Sequence, residues 1–76
     1  MVDLKIYVFV IGDEERAKFE DCVSSTCLAA YTESCVYDEQ FHAYVLGFSS
    51  CARFSAYTGI LCLQGWSFSC NVRELL

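Results

Sequence analysis

The stretch Leu4-Lys5-Ile6-Tyr7-Val8-Phe9-Val10-Ile11-Gly12-Asp13-Glu14-Glu15, continued in helical rhythm to about Tyr31, decides the fold. Residues alternate across a strand. Lys5, Tyr7, Phe9 and Ile11 therefore share one face, and Ile6, Val8 and Val10 the other. Both faces are apolar, the pattern of a central strand that needs cover on both sides. Gly12-Asp13 ends the run. Asp13 is placed to cap a helix, and Glu14 and Glu15 complement the positive end of its dipole. Phe19, Cys22, Val23, Thr26, Cys27 and Ala30 then recur at spacings of three and four, which predicts one buried stripe. Glu14, Lys18, Asp21 and Ser25 fall on the opposite, wet face, with Glu14 and Lys18 set as a favourable i,i+4 pair.

Outward from this strand–helix pair, the pattern turns to β. Residues 33–37 read as a short strand, Asp38-Glu39-Gln40 as a polar turn, and residues 41–48 as a second strand closing a hairpin. Phe41, Ala43 and Val45 share one face of that strand; His42, Tyr44, Leu46 and Phe48 share the other. In residues 49–59, Cys51, Phe54 and Tyr57 recur every three, Ser50 can cap and Gly59 can stop. Helix is preferred there to strand alternation. Residues 60–63 are apolar on both faces and read as a strand. Trp66, Phe68, Cys70 and Val72 alternate with Ser67, Ser69 and Asn71, which predicts a last strand buried on one face. The result is a single α+β domain over residues 1–76: a small antiparallel sheet with one long amphipathic helix on one face. A ferredoxin-like βαββαβ variant is the nearest named arrangement.

Composition bounds the chemistry. A chain of 76 residues buries only ~60–65% of its unfolded surface, so its core is small. Yet 55% of it is hydrophobic and 16% aromatic, an apolar surplus for such a core. The net charge is −5, with acids gathered between residues 13 and 39. That sign opposes nucleic-acid binding, which needs clustered Lys and Arg. It suits a solvated face, or a partner protein with a basic surface. Asp3 spoils the basic region of an export signal. Polar residues interrupt the uncharged stretch 54–72, so no membrane span is expected. A cytoplasmic, reduced setting follows as the default, host cytoplasm if the chain is viral, with the cysteines as small buried hydrophobes.

Motifs for catalysis are not found. Gly12 is alone at the strand–helix junction, without the glycine pattern of a phosphate cradle. No C-x-x-C occurs, and His42 is the only imidazole to serve a thiol as base. Zinc has Cys22-x4-Cys27 with Cys35 and His42 to draw on, a spacing far from the usual knuckles. The expectation is no enzyme, no cofactor and no metal. A cysteine-based thiol or zinc protein is the alternative.

One inference reaches further. With one dependable helix, the sheet covers one face and leaves the Tyr7–Phe9 face bare, and soluble monomers rarely expose large apolar patches. Cover comes from residues 49–59 and loops, or from a partner: a second copy in a homodimer, or another protein. The candidate partner-binding residues are Tyr7 and Phe9 at the centre, with Asp13, Glu14, Asp21, Asp38 and Glu39 at the rim. A small acidic chain of this kind suits a non-catalytic inhibitor or adaptor. By analogy of size and composition, that includes the anti-defence proteins of viruses and mobile elements, anti-CRISPR proteins among them.

Overall fold

A computed structural model describes residues 2–25 and 32–74. Its elements are β1 (Val2–Phe9), α1 (Gly12–Ser25), β2 (Ser34–Asp38), β3 (Ala43–Phe48), α2 (Cys51–Leu63) and β4 (Phe68–Glu74). The strands form a four-stranded sheet in the order β2-β3-β1-β4, with every neighbouring pair antiparallel. The chain is a small α+β fold, and its βαββαβ order is compatible with the ferredoxin-like arrangement.

The register explains why β1 is the hub. It is central, pairing Leu4 to Phe9 with β3 on one side and Val2 to Val8 with β4 on the other. Its even-numbered side chains Leu4, Ile6 and Val8, with Val10 beyond the strand, are buried. So are Tyr44, Leu46 and Phe48 of β3, Phe19 of α1, and Tyr57 and Leu61 of α2. These residues form one cluster, so both helices lie on the same side of the sheet. Phe19 packs its ring on Tyr44 at 4.9 Å and edge-on to Trp66 at 5.2 Å; Phe48 meets Phe54 and Tyr57 edge-on.

Several local expectations need correction. Residues 60–63 are not a strand but the end of α2. Tyr57 and Leu61, four apart, are both buried, and a glycine at 59 weakens a helix without stopping it. The stop comes at Gly65, whose φ of 76° only glycine adopts freely. There Gly65 N–H donates to Cys62 O and Trp66 N–H to Leu61 O, a Schellman closure. Trp66 precedes β4 and packs on Phe19 instead of opening the strand.

At the first helix, Asp13 lies one residue inside α1, and the end is tied by Glu15, whose Oε2 accepts from Ile11 N–H at 3.1 Å. The ion pair formed on α1 is Arg16–Glu20, at 3.9 Å, and not Glu14–Lys18. Of the expected stripe, Phe19 is buried and Cys22 and Val23 are half-buried; Thr26, Cys27 and Ala30 lie outside the described residues. β4 is less covered than its alternation implied. Phe68, Cys70 and Val72 sit in register with Val8, Ile6 and Leu4, yet Cys70 and Val72 are exposed. The reason is placement: α2 packs on β1 and β3 and leaves this edge open.

Candidate functional site

The helix side of the sheet is closed by a polar latch. Tyr44 OH donates to Glu20 Oε1 at 2.5 Å and accepts from Arg16 Nε at 3.2 Å. The Arg16 guanidinium lies over the Tyr37 ring, 4.0 Å from its centroid. Burial, then the bond to Glu20, raises the Tyr44 pKa above the usual phenol value. The phenol stays protonated at neutral pH and ties α1 to the sheet through these two bonds.

Among the described cysteines, Cys22 Sγ donates to Gln64 Oε1 at 2.7 Å, and Cys35, Cys51, Cys62 and Cys70 form no disulfide. Both Cys35 and Cys70 are exposed as residues, yet the atoms packed around each sulfur desolvate it and raise the thiol, with Glu20 adding to this at Cys35 and Cys62 at Cys70. Both shifts favour the thiol over the thiolate. His42 does not sit mid-strand as expected. It lies in the β2–β3 turn at a φ of 52°, exposed. Among the described residues, no three His, Cys, Asp or Glu side chains gather as a metal site. Cys27 lies outside those residues. No described helix is long and apolar enough to cross a membrane.

The remaining candidate is the other side of the sheet. In register across the strands, this face carries Asp3 beside Arg73. Next come Lys5 beside Asn71, Gly47 and Ser34, then Tyr7 beside Ser69, Val45 and Val36, and last Phe9 beside Ala43 and Asp38. Neither described helix lies over it, since both are on the opposite side. Val36 is 64% exposed, Phe41 57% and Phe9 39%. Tyr7, Phe9, Phe41 and Ser69 line an open hollow of about 310 Å³. Residues 49–59, which were one possible cover, belong mostly to α2 and so lie on the far side.

Predicted site residues divide accordingly. Tyr7 and Phe9 are on this open face together. Asp38 ends β2 in the same row as Phe9, and its Oδ1 accepts from Gln40 N–H at 2.9 Å and Phe41 N–H at 3.4 Å. That Asx turn holds Glu39 exposed and Phe41 against the hollow. Val10 N–H donates to His42 O at 3.0 Å, so the start of α1 and this turn share one end of the molecule. Asp13 and Glu14 are thus near the aromatic face but in the helix layer, and Asp21 lies about two turns further along α1. Ile11, expected beside Phe9, is outside β1 and 83% exposed at the approach to the helix.

Val36, Val45 and Arg73 join the face through strand register and Phe41 through the turn beside it, while alternation within β1 had already placed Lys5 there. No protein-family model, no curated protein and no solved structure matches this chain.

Proposed function

We propose that this chain works by binding protein, as a small non-catalytic adaptor or inhibitor, and that it docks through the open face of its sheet. The observation that carries this reading is the aromatic and aliphatic surface of Tyr7, Phe9, Phe41, Val36 and Val45, which no described helix overlies. A patch of this character is expensive in water and gains by exclusion of solvent. Its aromatics gather toward the Phe9 end of the sheet, where Asp38 ends β2 and the Asp38–His42 turn begins. Asp38 and Glu39 at that end favour a partner with basic groups around an apolar centre. Asp13, Glu14 and Asp21, in the other layer, are left to solubility and to the helix dipole.

A photoreactive benzoylphenylalanine in place of Tyr7 tests this in the native source. Cross-links to side chains of an identified protein, whether a second copy or another chain, are expected at this position. The same probe in place of Leu63, on the helix side, is expected to give several-fold less of that product. Absence of any protein adduct at position 7 would overturn the reading.

A further inference from the structure

We infer that the occupant of the open face is a second copy of this chain, crossed over the first so that Arg73 of each copy meets Asp38 of the other. The inference rests on the docking reading above and names its partner.

The argument is one of charge geometry. Asp38 closes β2, one outer strand, at the end of the sheet marked by Phe9. Arg73 lies on β4, the other outer strand, at the opposite end, paired with Asp3. Asp38 and Arg73 therefore stand at diagonally opposite corners of this face, with Asp3 beside Arg73 as the second carboxylate on it. Lys5, the face's other cation, lies one row in from Arg73. Two copies packed face to face are related by a two-fold axis lying in the interface. An axis at right angles to the Asp38–Arg73 diagonal sets Arg73 on Asp38 of the second copy, and repeats the contact at the other corner.

With strands about 4.8 Å apart and like-facing rows roughly 6.7 Å apart, that axis passes close to Tyr7, so the two Tyr7 rings meet at the centre. The strands of the two sheets then cross nearly at right angles, one of the two common ways in which sheets pack. A four-stranded face of this size buries roughly 1,000 Å² in total, at the threshold for a specific interface, so the pairing depends on concentration.

Sedimentation of the full chain over a wide concentration range tests this. The expected mass rises from one chain to two. Arg73→Gln and Asp38→Asn are each expected to raise the dissociation constant about five- to tenfold, because each removes the same contact twice. The double variant is then no weaker than either single one. Asp38→Asn retains the Oδ1 acceptor that holds the turn, so loss of fold does not mimic the result. A chain that stays single at every concentration, or a dimer indifferent to both substitutions, would overturn the proposal. If the chain stays single while the probe at position 7 attaches to another protein, self-pairing falls and the docking face stands. If that probe attaches to nothing, both fall.

Discussion

Tyr57 concentrates the tension in this small core. Its ring is fully buried against Phe48, but its hydroxyl finds no hydrogen-bond partner among the described residues. Burial pushes that hydroxyl well above the ordinary phenol range, so it stays protonated at any physiological pH. An unsatisfied buried hydroxyl costs about 1–3 kcal/mol. Tyr57→Phe removes the cost and keeps the ring. The expected outcome is a gain of about 1 kcal/mol, or a thermal midpoint higher by roughly 4–8 °C for a domain of this size. An unchanged or lower midpoint in a calorimetric scan would mean that the hydroxyl is satisfied. Tyr44 is the contrast: the same side chain on the same side of the sheet, fully engaged by Glu20 and Arg16. Sequence could not separate the two, because the difference lies in which α1 side chains arrive above each ring.

At the scale of elements, the most legible part was the one with two periodicities in succession. An apolar run to Ile11, then three-and-four spacing from Asp13, marked a strand followed by a helix, although the strand itself ends at Phe9 and the described helix at Ser25. The Asp38 turn was legible as well, because its carboxylate does local work that depends on no distant residue. Residues 60–63 failed as a strand since a short run of Ile, Leu, Cys and Leu carries no period of its own, and Gly59 looked like a stop. The real stop is Gly65, where a left-handed residue closes the Schellman bonds. Gly65→Ala is therefore expected to cost about 1 kcal/mol through a strained φ. Gly59→Ala, in mid-helix with φ in the ordinary range and open space at its Cβ, is expected to stabilise slightly. Urea titration of the two variants checks the opposite signs. Equal effects would contradict this placement of the helix end.

The whole molecule is a sheet with one side served and one side not. Two helices from a chain of this length fall on the same face, and the core forms there. Part of the apolar surplus visible in the composition lies on the other face, as Phe9, Val36 and Phe41, while Ile11, Leu63 and Val72 are exposed elsewhere. That one face would lack a helix was expected from strands apolar on both sides, and no described helix lies over it. Which residues complete it was not legible, because Val36, Val45 and Arg73 come from three different strands and meet only through register. The acids were the less informative signal: Asp38 and Glu39 border the face, whereas Asp21 is on the helix layer.

Hydroxyl-radical footprinting of the assembly purified from its native source, set against the dilute isolated chain, puts the central claim to its most direct test. Oxidation of Tyr7, Phe9 and Phe41 is expected to fall several-fold in the assembly, with Leu63 on the opposite layer unchanged. Equal oxidation of the three aromatics in both samples, with protection elsewhere, would contradict the open sheet face as the place where this protein meets its partner.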